Sequence, residues 1–341
     1  MPGSRFMPPR RGWTIAELLV TLGVISLLLA LLAPAIQSAR ESARKIDCGN
    51  RLKQILLATE AFASNRQRYP EYSSGGIDQQ GVRHWNVCPL VEILPYLDQA
   101  PLHDGIDKHE WFGAFDAYGS GQLYSGQNAQ WVRHTIPLYQ CPSDRQEPGS
   151  CNYRVSLGSG ADWYTFSPGP PDPTCLDPKN GNGAFETMKA LTPADVTDGL
   201  STTVFSSERV IADGNGSQYD PWRDYSQVQA NWPHCTADEL RSTCRSIAGV
   251  APNHASVAGF TWIYATKAHT AYDHISPPNS RVSDCARDSS SEPGASNSAI
   301  AARSQHAGGV NAAMGDGSVR FASEQIDLAV WRQLGSRNGR D

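Results

Sequence analysis

"RRGWTIAELLVTLGVISLLLALLAPAIQSARESARK", Arg10–Lys45, decides the architecture of this chain. From Ile15 to Ala35 the sequence is apolar except for Glu17, and at about 1.5 Å rise per residue a helix of this length crosses roughly 30 Å of hydrocarbon. The run therefore reads as a membrane span over about residues 15–35. An unpaired carboxylate inside it costs several kcal/mol, so Glu17 needs a reason. Arg5, Arg10 and Arg11 precede the span and point the N-terminus to the cytoplasm, although Arg40, Arg44 and Lys45 on the far side weaken the charge bias.

Helical spacing continues past the membrane boundary. Ile46, Leu52, Ile55, Leu56, Thr59 and Phe62 recur every three to four residues, with Lys53, Glu60 and Asn65 among the polar positions between them. One helix over residues 13–64 is expected: apolar all round and protruding in its first half, amphipathic and packed on a globular body in its second. Pro34 lacks a backbone donor and predicts a kink or soft point.

The composition bounds the rest. The 341 residues are 40% hydrophobic, ample for a core. Residues 1–53 carry eight Lys/Arg against three Asp/Glu, whereas the whole chain carries 29 against 34. The front is basic and the body acidic, which argues against a nucleic-acid partner. The eight cysteines lie mostly in polar surroundings such as "QCPSD", "GSCNY" and "STCRS", as expected of disulfides in an oxidising compartment. Without a Cys-x-x-Cys or His-x-x-x-His pair, a zinc site has no sequence signal. Eight cysteines allow 105 connectivities, and the short loops Cys141–Cys151 and Cys235–Cys244 are the simplest pairings.

Beyond the helix, "SSGGIDQQG" reads as a loop, and the remainder is a string of short apolar pieces punctuated by 30 Gly and 23 Pro along the chain. "NVCPLVEILPYLDQ" reads as a short Pro-interrupted helix. "LTPADVTDGLS" places Thr192, Pro193 and Asp195 as a capped helix start, ended by the turn Asp198-Gly199. "STTVFSSE" reads as a strand. In "GGVNAAMGDGSVRF", Val310, Ala312 and Met314 alternate inward, Asp316-Gly317 suits a type I′ turn, and Val319 and Phe321 return on the same face. "IDLAVWRQLG" follows as a short helix stopped at Gly335. The expected fold is α+β, a long N-terminal helix on an antiparallel sheet with long loops.

The N-terminus resembles that of type IV prepilins: a short basic leader ending in Gly12, a first mature residue Trp13, Glu17 at the fifth mature position, and then the apolar helix. The resemblance implies a leader over residues 1–12, cleavage between Gly12 and Trp13 by prepilin peptidase, and methylation of the new amine. It also implies that Glu17 pairs with the N-terminal amine of a neighbouring pilin-like subunit, which offsets its desolvation only on assembly. Two other readings compete. A secretory signal has Ala33 and Ala35 as a cleavage site, but a shorter apolar core without an early Glu; a plain single-pass anchor leaves Glu17 reaching for the near interface.

The whole chain also resembles a bacterial family of uncharacterised prepilin-type proteins with a C-terminal signature of His, nine residues, then Asp-Gly. Here this is His306 to Asp316-Gly317 in "SQHAGGVNAAMGDGSVRF", and further landmarks are "CGNRLKQILLA", "ILPYLDQAPLHD", "LYQCPSD" and "VTDGLSTTVFSSE". Departures are Gly49 where Ser or Asn is usual, Trp13 in place of Phe, and Ser304-Gln305 where Ser-Arg often precedes the His. The resemblance implies a pilin-like fold.

Signals for chemistry are few. Gly-x-Ser-x-Gly, a phosphate loop ending in Gly-Lys-Ser/Thr and His-Glu-x-x-His are all absent. Asp213, Asn215, Ser217 and Asp220 resemble a calcium loop, but Gln218 stands where Gly is required and no Glu closes it, so a polar turn is expected and no cofactor. His306 either meets Asp316 at one end of the hairpin as a ligand or base, or hydrogen-bonds backbone to fix the hairpin's entry. Trp85, Trp111, Trp131, Trp163, Trp222, Trp232 and Trp262 offer a sugar-binding surface or core anchors. The leading expectation is a non-enzymatic minor pilin or pseudopilin-like subunit: single-pass in the inner membrane, with residues 65–341 in the periplasm or at the cell surface. A membrane-tethered solute- or glycan-binding protein is the alternative, and an extracytoplasmic hydrolase the third.

Overall fold

The structure is a computed structural model that describes residues 12–74, 87–109, 128–160, 181–187, 189–228, 236–247, 254–287 and 298–339. The helix Ile15–Arg66 is its longest element and runs through Pro34. The chain divides into two units, Met1–Arg44 and Lys45–Asp341.

In the first unit, every residue from 12 to 40 is exposed. A helix with leucine, isoleucine and valine on all sides has no face to bury in water, so the 52-residue element carries a stretch long and apolar enough to cross a membrane. Toward the polar end, Glu41 and Arg44 pair at 2.6 Å one turn apart.

In the second unit the helix buries Cys48, Leu52, Ile55, Leu56, Ala58, Thr59, Phe62 and Ala63, a stripe of three-to-four spacing. Each fully buried Leu, Ile or Phe contributes about 1.5–3 kcal/mol against exposure. Ile46 departs from the expected stripe and is exposed; the buried face begins at Cys48.

Among the described residues, nine strands form two sheets. β1 (Tyr153–Ser156), β2 (Val204–Glu208), β5 (Ala271–Tyr272), β8 (Gly309–Met314) and β9 (Val319–Ser323) make one, in the order β5-β1-β2-β8-β9. β3 (Tyr225–Val228), β4 (His254–Ala255), β6 (Asp284–Arg287) and β7 (Ser298–Ala299) make the other, in the order β4-β3-β6-β7. Pairing is mainly antiparallel, with one parallel pair in each sheet, β1 with β5 and β3 with β6. The molecule is thus α+β with a long apolar N-terminal helix and antiparallel-rich sheets.

The five-stranded sheet is covered on both sides. One core joins the helix stripe to Tyr153, Val155, Phe205 and Ala313. The other joins Val204, Tyr272, Val310, Ala312, Met314 and Ala322 to Trp331 of the C-terminal helix Leu328–Gly335. All six residues of β8 are therefore buried, not alternate ones. The register sets Ala313 opposite Val319 and Asn311 opposite Phe321, so Val319 and Phe321 lie on the face opposite Val310, Ala312 and Met314. This corrects the expected single-face hairpin: the loop is one residue longer than a two-residue turn.

Its geometry also excludes type I′, which needs positive φ at two central residues. Only Gly317 has it, at φ +86°. Gly317 N donates to Met314 O at 2.9 Å and Met314 N to Ser318 O at 2.8 Å, the pattern of a three-residue loop, Gly315-Asp316-Gly317, closed by a left-handed glycine.

Thr192 and Asp195 form the reciprocal cap expected of them, around a single 3-10 turn, Pro193–Asp195. The C-terminal helix is capped by Asp327, which accepts from Ala329 N and Val330 N. Its last residue is a glycine because a Cβ at Gly335 would sit 2.4 Å from the His274 ring. That ring stacks on Trp331 at 4.0 Å.

Candidate functional site

The processing end is described from Gly12 onward. Gly12 has nothing within 4 Å of where a Cβ would stand, and Trp13 is exposed. Glu17 is tied to Thr14: its Oε2 accepts from Thr14 N and Oγ1, both at 2.9 Å, while Glu17 N donates to Thr14 Oγ1 at 3.2 Å. This reciprocal arrangement is a capping box, and it satisfies donors that the first helical turn leaves without partners. Thr14 was overlooked in the sequence, although Thr-x-x-Glu before an apolar run is its signal. Within one chain, then, Glu17 caps its own helix.

The C-terminal signature does not form one site. Asp316 lies at the exposed tip of the hairpin, where its Oδ1 accepts from Ser318 N and Oγ at 2.9 and 2.6 Å. These bonds hold its carboxyl below the usual range. His306 stands just before β8, at the opposite end of that strand, and is buried. The two do not meet.

His306 instead faces three residues from distant parts of the chain. Its Nε2 lies 3.5 Å from Glu208 Oε1 and 3.6 Å from Cys141 Sγ, and Cys141 is bonded to Cys48. All four side chains are buried, and one ligand atom from each lies within 4.8 Å of all the others. Four elements bring them together: the amphipathic part of the long helix (Cys48), the segment after the turn Pro137–Tyr139 (Cys141), the end of β2 (Glu208) and the approach to β8 (His306).

Neighbouring bonds fix each donor. Asn311 donates to Glu208 Oε2 from N at 2.8 Å and to Oε1 from Nδ2 at 3.0 Å. His306 N donates to Ser304 Oγ at 3.1 Å, and Gln305 reaches Asp144 Oδ1 at 3.3 Å. Arg51, one turn along from Cys48, pairs with Asp47 and donates to Gln140 O at 2.8 Å, holding the segment that carries Cys141. Tyr153, opposite Glu208 in the β1–β2 register, has a buried hydroxyl without a hydrogen-bond partner. Burial, followed by the charge of Glu208, pushes its ionisation up.

The expected local disulfides are corrected. Cys141 pairs with Cys48, 93 residues away, and Cys244 with Cys285, 41 residues away, each with Cα atoms 5.3 Å apart. Cys151 is free and buried; its Sγ donates to Tyr153 O. Cys88 is likewise free, and Cys235 lies outside the described residues. Proximity along the chain misleads because tertiary packing, not loop length, sets which Cβ atoms face each other. Glu208 was missed as a site residue, and Cys48 as a pairing partner. Each nonetheless falls within a quoted landmark: Cys48 opens "CGNRLKQILLA" and Glu208 closes "VTDGLSTTVFSSE".

The suspected calcium residues serve local turns. Asp213 accepts from Asn215 N and Ser256 Oγ, Asn215 from Ser217 N, and Asp220 from Trp222 N. Of the tryptophans considered for a sugar surface, Trp131, Trp222 and Trp262 are described. Trp131 donates to Gly105 O and Trp262 to His134 O, while Trp222 lies under the Arg303 guanidinium. They act as anchors; Trp85, Trp111, Trp163 and Trp232 lie outside the described residues.

A long apolar N-terminal helix whose later turns pack on an antiparallel-rich sheet defines a pilin-like protein. Residues 37–329 match the family model described as "Protein of unknown function (DUF1559)", and the chain belongs to that family. An 83-residue stretch is 28% identical to "Type IV major pilin protein PilA" of Myxococcus xanthus (strain DK1622), covering 24% of this chain and 38% of that protein. No solved structure matches.

Proposed function

We propose that this chain is a prepilin-like subunit that works without catalysis in the assembly of a surface filament or secretion apparatus. Prepilin peptidase cuts between Gly12 and Trp13 on the cytoplasmic side and methylates the new amine. The apolar helix then holds the subunit in the inner membrane with its body on the far side, in the periplasm or at the cell surface. The observation that carries this reading is a single carboxylate, Glu17, in the first turn of an apolar helix whose every side chain to residue 40 is exposed. Such a surface needs lipid or like helices around it, and the carboxylate needs a cation once water is gone. The neighbouring subunit's N-terminal amine is that cation. Similarity over part of a type IV major pilin supports the assignment, as do the disulfides Cys48–Cys141 and Cys244–Cys285, which suit an oxidising compartment.

Intact-mass analysis of the chain from its native host tests the reading. A mature chain beginning at methylated Trp13 is expected. A chain beginning at Ile36 would establish an ordinary signal peptide, and an uncut chain a plain anchor.

A further inference from the structure

The buried cluster around His306 holds more chemistry than a disulfide uses. The Cys48–Cys141 bond needs neither an imidazole nor a carboxylate beside it, yet His306 Nε2 and Glu208 Oε1 both converge on it from other elements. Two thiolates, an imidazole nitrogen and a carboxylate oxygen are the donor types that zinc takes in four-coordinate sites, with bonds of about 2.0–2.3 Å that put donors roughly 3.3–3.8 Å apart. A spread within 4.8 Å is already close to that arrangement. Supporting bonds are also present: both oxygens of Glu208 are held by Asn311, and Ser304 Oγ holds the backbone of His306. Outer partners of this kind fix ligand orientation in metal sites.

We propose that Cys48, Cys141, Glu208 and His306 form a redox-gated site for one zinc-class divalent cation: closed as a disulfide when oxidised, and metal-binding when reduced. A dithiol reductant supplies two electrons and two protons, the S–S bond breaks into two thiols, and the reductant becomes a disulfide. The cation then displaces both thiol protons to solvent and forms two metal–sulfur bonds, while His306 binds as the neutral imidazole and Glu208 as the carboxylate. Because the cation binds the reduced pair and not the disulfide, metal binding and reduction favour each other. In either state Cys48 stays tied to Cys141. The amphipathic part of the helix is thereby stapled to the body in reducing and oxidising surroundings alike.

The test uses the full-length chain in detergent micelles, oxidised or reduced with a phosphine that takes oxygen from water, and titrated with zinc(II) or cobalt(II). Reduced protein should take one equivalent of metal, with sulfur-to-cobalt charge-transfer absorption and the visible bands of tetrahedral cobalt. Bound metal should also protect Cys48 and Cys141 from alkylation in peptide maps. Oxidised protein should take none. Glu208→Gln and His306→Ala should weaken binding at least tenfold, and Cys48→Ser/Cys141→Ser should abolish it, which excludes Cys88 and Cys151 as the ligands. Reduced wild-type protein that takes no metal, or oxidised protein that takes as much, overturns the proposal even if a variant fails to fold. Undiminished binding by folded Glu208→Gln and His306→Ala overturns it as well.

Discussion

Gly317 and Gly335 show how two glycines are required for different reasons. Gly317 adopts φ +86°, and a Cβ there would meet only Leu57 Cδ2 at an ordinary 3.6 Å, so its constraint is backbone conformation. Gly317→Val should lower unfolding stability by about 1–3 kcal/mol, with Gly317→Asn losing much less because Asn tolerates the left-handed region. Denaturant midpoints of the two variants decide this; equal losses would mean that volume rather than φ matters. Gly335 has no such φ, but it admits the His274 ring where a side chain would collide. His274 and a second buried histidine, His269, are each pushed down to about 3, mainly by burial. Neither imidazole should titrate between pH 7.5 and 5, which NMR of their ring protons would report.

The long helix performs three jobs along its length, and its first turn separates two of them. Glu17 is both the capping partner of Thr14 and the proposed partner of a neighbouring amine. Thr14→Val removes the cap and keeps the charge, at about 1 kcal/mol of helix stability. Glu17→Ala removes both. Crosslinking in membranes should therefore show self-association lost in Glu17→Ala and retained in Thr14→Val; equal losses would make Glu17 only a cap. Farther along, periodicity identified the buried stripe but extended it to Ile46, where Cys48 takes over. The hairpin β8–β9 was recognisable from its turn residues and apolar strands. Its facing was not, because β8 is covered on both sides and alternation carries no information in a doubly buried strand.

At the scale of the whole molecule, buried titratable groups set the acid response. Between their ordinary value near 6.5 and about 3, His269 and His274 accept protons only when the chain unfolds, so stability falls as pH falls. Asp273 opposes this: burial, partly offset by Lys267, raises it to about 6, so below that pH the folded state takes a proton the unfolded state refuses until near 3.8. Together the three groups should lower stability by about 2–3 kcal/mol between pH 7 and 5. Denaturant unfolding at the two values checks it, and a midpoint unchanged or higher at pH 5 would contradict the sign.

By itself, the sequence determined what depends on neighbours within a turn or a hairpin. That includes the apolar span and its lone Glu17, the amphipathic continuation, the cap at Thr192, and the existence of the β8–β9 hairpin. Each follows from spacing and from local backbone donors that must be satisfied. Tertiary structure alone decided the partners of Cys141 and Cys244, the two-sided burial of β8, and the meeting of Glu208 and His306 at a disulfide. Those contacts join segments far apart in the chain, 93 residues in the case of Cys48 and Cys141. No local pattern encodes such distances; they are set by how helices and sheets pack to bury their apolar faces.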